Sequence, residues 1–168
     1  MVAPLQVVGF KKSGKTTTIN DFLAVLKRQH QPVCVLKHDA HNAQMDQAGT
    51  DTARFTAAGA QTVLLATDQA TMVQQQITQQ ITQPPTAAQL IAAYAQPEQF
   101  CLLEGFKAAA YPKLVLVRPG ERPTDFKQLS HITAYASLHT PEFSACLDFS
   151  TSAQRQAWFT TYLQKEGF

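Results

Sequence analysis

The stretch "LQVVGFKKSGKTTTIN", residues 5–20, decides the fold of this chain of 168 residues. A short apolar segment leads into Gly9, and the residues that follow satisfy the pattern G-x-x-x-x-G-K-[ST] through Gly14, Lys15 and Thr16. The two glycines allow the backbone N–H groups of such a loop to turn toward one anion, and the following helix adds its partial positive charge. The stretch therefore predicts a strand, a phosphate-binding loop and a helix, in that order.

The residues expected to contact phosphate lie in this loop and in the first turn of its helix. Lys15 would place a point charge on the β- and γ-phosphates of a nucleotide, and the Thr16 hydroxyl would ligate Mg²⁺. The full predicted set is Gly9, Lys11, Lys12, Ser13, Gly14, Lys15, Thr16 and Thr17. No residue can be identified from the sequence as the one that positions an attacking water. The catalytic residues are therefore unassigned, and hydrolysis of the nucleotide is expected to be slow.

A magnesium site of this kind also needs a carboxylate from a neighbouring strand. Glu104 ends the apolar run "FCLLE", residues 100–104. Ligands of α/β sheets bind beyond the carboxyl ends of the strands, which is where Glu104 would lie. We therefore predict Glu104 as the metal carboxylate, with Asp39, just past the run "PVCVLK", as the alternative.

Apolar runs of strand length alternate along the chain with segments of helical periodicity. Strands are predicted at 5–9, 32–37, 61–67, 70–76, 100–105, 113–118 and 131–137, and helices at 15–29, 51–60, 86–96 and 152–166. Several strands are continuously apolar, which is typical of parallel strands covered on both faces. We predict an α/β fold of the P-loop NTPase type, a three-layer sandwich with a mostly parallel central sheet and an antiparallel hairpin near residues 61–76. Residues 1–168 are expected to form a single nucleotide-binding domain.

Composition and charge narrow the range of partners. Hydrophobic residues make up 45% of the chain, which is enough for a packed core. The net charge of +2 is too small, and the basic residues too scattered, to indicate nucleic acid as the main partner. No apolar run approaches the length of a membrane span, so no membrane partner is predicted. The 3 cysteines lie in apolar runs without a CxxC spacing, which indicates free thiols in a reducing compartment, so the expected location is the cytoplasm.

Four stretches of the chain resemble the molybdopterin-guanine dinucleotide biosynthesis protein B family, a group of P-loop GTP-binding proteins. They are the phosphate loop, "VLKHDAHNAQMDQAGTDTARFTAAGA", "LLEGFKAAAYPKLVLVR" and "HITAYAS", which together cover most of the first 137 residues. The phosphate loop is shared by a whole superfamily. The Lys37-His38 pair and the segment Glu104-Gly105-Phe106-Lys107 are much more specific to the family.

The resemblance implies a homodimer that binds GTP and Mg²⁺. It also implies a supporting role in attaching GMP to molybdopterin, the pterin cofactor of molybdenum enzymes. In the family's pathway that transfer is performed by a separate protein, molybdenum cofactor guanylyltransferase. Two alternatives remain: a small-molecule kinase that uses ATP on the same type of sheet, and a nucleotide-binding module that does not hydrolyse its ligand.

Other charged or polar residues in the resembling stretches are candidate contacts for a substrate or partner. His38 would contact substrate or phosphate, or hydrogen-bond to the backbone, and His41 belongs to the same loop. Lys107 and Arg118 follow strand runs and would either meet the phosphate of the pterin or be solvated strand ends. The chain departs from the family at Leu138, where members commonly have an Asp that could bind the guanine edge.

Overall fold

A computed structural model describes residues 3–39, 46–76 and 84–168 of the chain. In chain order its elements are β1 (Leu5–Gly9), α1 (Lys15–Arg28), β2 (Val33–Lys37), α2 (Asp51–Ala57), β3 (Thr62–Ala66), β4 (Thr71–Gln75), α3 (Ala87–Tyr94), β5 (Phe100–Glu104), β6 (Lys113–Leu116), a 3₁₀ helix (Pro123–Phe126), β7 (Ile132–Ser137), β8 (Cys146–Asp148) and α4 (Ser152–Lys165). These elements form two compact units, one of Met1–His38 with Thr86–Phe168 and one of Asp39–Pro85. The single nucleotide-binding domain of residues 1–168 stays a prediction.

The first unit contains a six-stranded sheet with the order β2-β5-β1-β6-β7-β8. Every neighbouring pair in this sheet is parallel. The predicted α/β fold with a mostly parallel central sheet is therefore confirmed. Because β1 lies between β5 and β6, the phosphate loop leaves the sheet beside the ends of both strands.

Helices cover both faces of this sheet and make it the middle of three layers. On one face α1 and α4 pack together, and the rings of Phe22 and Phe159 stack with centroids 4.1 Å apart. On the other face Ile91 of α3 and Phe126 of the 3₁₀ helix are buried against the strands. Successive residues of β1 point to opposite faces, so Val7 packs in the apolar cluster beneath α1 and α4, and Val8 packs in the cluster that contains Phe126.

The second unit contains α2 and a separate two-stranded sheet. Thr50 caps α2, because its side chain accepts a hydrogen bond from the backbone N–H of Ala53. β3 and β4 pair antiparallel with Leu64 opposite Val73, and Asp68 and Gln69 lie in the turn between them. The hairpin predicted near residues 61–76 is confirmed.

Three local features differ from the sequence-based expectations. The strand predicted at 113–118 ends at Leu116, and the 3₁₀ helix, which begins at Pro123, lies where no helix was predicted. β8 was not predicted, because three residues are too few to show an alternating pattern. Among the described residues, no helix combines the length and apolar character that crossing a membrane requires.

Candidate phosphate and metal site

The loop between β1 and α1 has a shape that only glycine permits at its two ends. A Cβ atom at Gly9 would lie 2.5 Å from the carbonyl oxygen of Leu116 and 2.4 Å from Ser13 Oγ. Gly14 has a φ of +88° and stands at the N-cap of α1, where it supplies no side-chain acceptor. The first backbone N–H groups of a helix have no partner within it, so this end of α1 is suited to an anion.

Ser13 contributes a buried hydroxyl to the same loop. Its side-chain oxygen is buried, and no group among the described residues forms a hydrogen bond with it. A buried hydroxyl without a partner costs free energy, because its bonds to water are lost and not replaced. The phosphate oxygen of a ligand would supply the missing partner, so this atom fits a phosphate-binding loop.

Lys15 extends back over the loop from the first turn of α1. Its Nζ donates to the carbonyl oxygen of Phe10 at 2.7 Å and to that of Gly9 at 3.4 Å. Burial lowers the pKa of Lys15 from its usual value, and the positive charges of Lys107, Lys37 and Arg118 lower it further, whereas Glu104 raises it. An anion bound here would offset this excess of positive charge.

Two hard oxygen donors meet beside the loop, as the magnesium hypothesis requires. The Thr16 hydroxyl donates to Glu104 Oε2 at 3.1 Å, and Lys37 Nζ lies 3.6 Å from Glu104 Oε1. Mg²⁺ prefers oxygen ligands and typically takes one or two carboxylates together with phosphates and water. In the described part of the chain, no group of three or more His, Cys, Asp or Glu could hold a metal ion, so a cage made of protein ligands alone is not seen there. The donors present fit Mg²⁺ shared with a phosphate.

Phe10 connects this site to two further cations. Lys107 Nζ lies 5.0 Å and Arg118 Cζ 5.5 Å from the centre of the Phe10 ring, distances typical of cation–π contacts. Arg118 also donates to the carbonyl oxygen of Lys11 at 3.2 Å and forms an ion pair with Glu121. Both predicted contact residues therefore flank the phosphate loop, and the packing role of Phe10 was not predicted.

The remaining predicted residues are distributed differently. Lys11, Lys12, Thr16 and Thr17 are exposed around the loop and the start of α1. His38 lies beside Glu104: its backbone N–H donates to the Glu104 carbonyl oxygen at 2.9 Å, and its ring contacts Phe106. His41 lies outside the described residues. Asp39 belongs to the second compact unit, so its candidacy as the metal carboxylate stays a prediction.

Leu138 lies against the phosphate loop. It directly follows β7, and a Cβ atom added at Gly14 would stand 2.3 Å from Leu138 Cδ2. An apolar side chain therefore covers the start of α1 at the position where members of the resembling family commonly have an Asp. A side chain of this kind offers neither a donor nor an acceptor to a nucleotide base.

Comparisons with known proteins agree on one family. The family model described as "Molybdopterin guanine dinucleotide synthesis protein B" matches residues 4–138. An adapter protein of molybdopterin-guanine dinucleotide biosynthesis from Haemophilus influenzae is 32% identical over 68% of this chain and 62% of its own length. A probable adapter protein of the same name from Bacillus subtilis is 36% identical over 80% of this chain and 75% of its own length. A putative one from Methanocaldococcus jannaschii is matched over 46% of its own length, so the chain spans only part of some relatives.

Solved structures show the same fold. The crystal structure of Bacillus subtilis MobB has a TM-score of 0.71 at 26% identity, and the match covers 94% of this chain and 96% of that one. The MobB homologue from Bacillus stearothermophilus gives a TM-score of 0.69 at 22% identity, over 96% of each chain. Sequence, fold and family model coincide, and this chain belongs to the MobB family.

Proposed function

We propose that this chain binds GTP and Mg²⁺ on the loop of residues 9–16 and acts in the cytoplasm as an adapter in molybdopterin guanine dinucleotide biosynthesis. The observation that carries the nucleotide part is the cluster of Ser13, Lys15 and Thr16 beside Glu104. It combines a buried hydroxyl that has no partner among the described residues, a lysine folded over the loop, and two oxygen donors 3.1 Å apart. The names of the relatives and of the family model support the pathway.

Within this proposal each residue has a defined task. Lys15 would exchange its two backbone carbonyl partners for phosphate oxygens, and Thr16 and Glu104 would hold Mg²⁺, which would supply positive charge against the phosphates. No residue of the described chain is assigned to an attacking water. We therefore propose that the chain hydrolyses GTP slowly at most, and that transfer of GMP to molybdopterin belongs to the separate molybdenum cofactor guanylyltransferase.

Lys107 and Arg118 are proposed to contact the phosphate of molybdopterin. Both are held close to the nucleotide loop through Phe10, and both lower the pKa of Lys15 through their positive charges. A phosphate beside them would relieve the mutual repulsion of these cations. Arg122 forms an ion pair with Glu142, so it would have to break this pair to contact a transferred phosphate in the kinase alternative.

A homodimer completes the proposal, and the hairpin of β3 and β4 supports it. Leu64 and Val73 face each other across the two strands, and 65% and 49% of their surfaces are exposed. Leu65, on the opposite face, is 45% exposed. An isolated two-stranded sheet with apolar faces and unpaired edges is only marginally stable in water. A second copy of this chain would cover these side chains.

The nucleotide claim is tested by titrating GTP into the wild-type protein and into Lys15→Ala, with Mg²⁺ present. Lys27→Ala is the matched control, because Lys27 lies in the last turn of the same helix, remote from the loop. We expect the first variant to lose most of its GTP affinity and the control to retain it. Unchanged affinity in a folded Lys15→Ala protein would exclude the site.

The adapter claim needs the partner enzyme. Purified guanylyltransferase, molybdopterin and limiting GTP are combined with and without this protein, and the dinucleotide product is measured over time. The wild-type protein should raise the rate of product formation, and Lys15→Ala should not. A phosphorylated small molecule formed with ATP in the absence of the partner would instead support the kinase alternative.

A further inference from the structure

Gln6 is a completely buried polar residue at the second position of β1. Its side-chain Nε2 donates two hydrogen bonds, to the carbonyl oxygen of Gly105 at 3.0 Å and to that of Phe106 at 2.8 Å. Only the NH₂ end of a carboxamide can face two carbonyl oxygens, so the orientation of this side chain follows from its partners. Gln6 therefore links the central strand to the turn that follows the metal carboxylate.

This turn has a backbone conformation that needs external support. Gly105 has a φ of +84° and Phe106 a φ of +52°, so two successive residues are left-handed and the second is not glycine. A Cβ atom at Gly105 would stand 2.9 Å from the carbonyl oxygen of His38, which leaves no space for a side chain. The turn is thus enclosed by β1 on one side and by the end of β2 on the other.

The turn also determines where Glu104 points. Glu104 is the residue immediately before it, and its carboxylate lies 3.1 Å from the Thr16 hydroxyl. The backbone N–H of Gly105 donates to the carbonyl oxygen of Val7, next to Gln6 in β1. A change in the turn would therefore move the carboxylate relative to the helix that carries Thr16.

We propose that Gln6 is a positioning residue for the magnesium carboxylate, holding the 105–106 turn so that Glu104 stays within reach of Thr16. Packing alone does not explain a glutamine here. Its Oε1 is buried with no partner among the described residues, a penalty that methionine of similar size would avoid. The donor end of the side chain is what the site uses. This inference rests on the proposed binding of Mg²⁺ and GTP.

The test compares Gln6→Met with the wild-type protein by measuring GTP affinity once with Mg²⁺ and once with EDTA. Loss of a residue that orients a metal ligand typically weakens metal-dependent binding by roughly 10-fold to 100-fold, so we expect the magnesium enhancement to fall by that factor. Affinity in EDTA should stay within about twofold, since Gln6 does not touch the phosphate loop. Val115→Ala is the control, because Val115 is equally buried in the adjacent strand and belongs to a different apolar cluster from Phe106 of the turn.

Hydrogen exchange in the nucleotide-free protein gives a second measurement that is independent of binding. In Gln6→Met the amides of residues 104–107 should exchange faster, whereas those of residues 9–16 should not change. If Gln6→Met does not fold, Gln6→Asn replaces it, since the shorter amide keeps the polarity but loses the reach, and the same changes are expected.

The outcomes separate the two proposals. A full magnesium enhancement and unchanged exchange in the Gln6 variant would overturn the positioning role while leaving GTP binding intact. A wild-type protein without any magnesium enhancement would overturn the proposed metal site. In that case faster exchange in the variant would still show that Gln6 holds the turn.

Discussion

Replacing Glu104 by glutamine keeps the shape of the side chain and removes its charge. The Lys37 ion pair spans 3.6 Å and the Lys37 side chain is 56% exposed, so losing this pair costs less than about 1 kcal/mol. The Glu104 side chain is only 12% exposed, and a neutral amide avoids the cost of keeping a charge there. These effects oppose each other. We expect the free energy of unfolding of the nucleotide-free protein to change by less than about 1 kcal/mol, or less than about 4 °C in Tm.

Magnesium-dependent binding should respond much more strongly in Glu104→Gln. At the effective dielectric of a protein surface, two unit charges 4 Å apart interact by roughly 4 kcal/mol. Mg²⁺ carries two charges, and solvent and phosphate screen their attraction to the carboxylate. Even if only a third of the roughly 4 kcal/mol remains, its loss lowers the affinity by about tenfold. We therefore expect the ratio of GTP affinity in Mg²⁺ to that in EDTA to fall at least about tenfold.

Calorimetric titration of GTP into both proteins, with Mg²⁺ and with EDTA, measures this ratio directly. Glu142→Gln is the matched control, because Glu142 is also ion-paired, to Arg122, and lies outside the metal site. The control should keep the wild-type ratio. A Glu104→Gln protein with the full magnesium enhancement would refute the reasoning and leave Asp39 as the candidate carboxylate.

Three further predictions concern the dimer, base selectivity and the buried ion pair. Leu64→Glu should convert a dimer into monomers in light scattering at micromolar concentration, and a wild-type protein that is monomeric at every dilution would contradict the dimer. Leu138 offers no hydrogen bond to a base, so competition between GTP and ATP should show a preference for GTP below about a hundredfold. A hydrogen-bonding side chain at this position could add discrimination of about 1–3 kcal/mol, the cost of leaving a buried polar group unpaired. Arg155→Met should lower the free energy of unfolding by about 3–5 kcal/mol in urea titrations, because it leaves the largely buried Asp21 carboxylate without its guanidinium. Burial alone would raise the pKa of Asp21, but its hydrogen bonds outweigh this effect and lower the pKa. The ionised carboxylate therefore stabilises the folded protein above the ordinary aspartate pKa of about 3.9, and this stabilisation is lost as the pH falls through the pKa that Asp21 has in the folded state. The acid decline of stability measured in urea should therefore be shallower in Arg155→Met, and an equal decline would count against this linkage.

The sequence was most informative where a local pattern determines the backbone. The spacing of Gly9 and Gly14 predicted the loop and the start of α1, and the structure has both. The same holds for the start of α2: the helix predicted from residue 51 begins at Asp51, and Thr50 caps it. In each case the residues that decide the conformation are close neighbours in the chain, so no tertiary information was needed.

Contacts that depend on the order of the strands in the sheet could not be predicted from such local patterns. Lys37 pairs with Glu104 because β2 lies beside β5 with these two residues in register, and neither segment shows this alone. Lys113 is completely buried at the start of β6, where its Nζ donates to the carbonyl oxygens of Ala109 and Tyr111. A lysine at a strand end is usually exposed, and only the path of the preceding loop reveals its partners.

Gln6 illustrates the same limit in the strand that leads into the phosphate-loop motif. The run "LQVVG" predicts an apolar strand, and a lone glutamine in such a strand is usually expected to reach water. The structure instead places β1 between β5 and β6, so the polar side chain has no access to solvent and must find partners inside. Its partners are two carbonyl groups of a turn that is far away in sequence and adjacent to the metal carboxylate. A polar residue within a buried strand therefore indicates that its side chain hydrogen-bonds to a nearby loop. Here that loop is the turn after Glu104, which belongs to the candidate site.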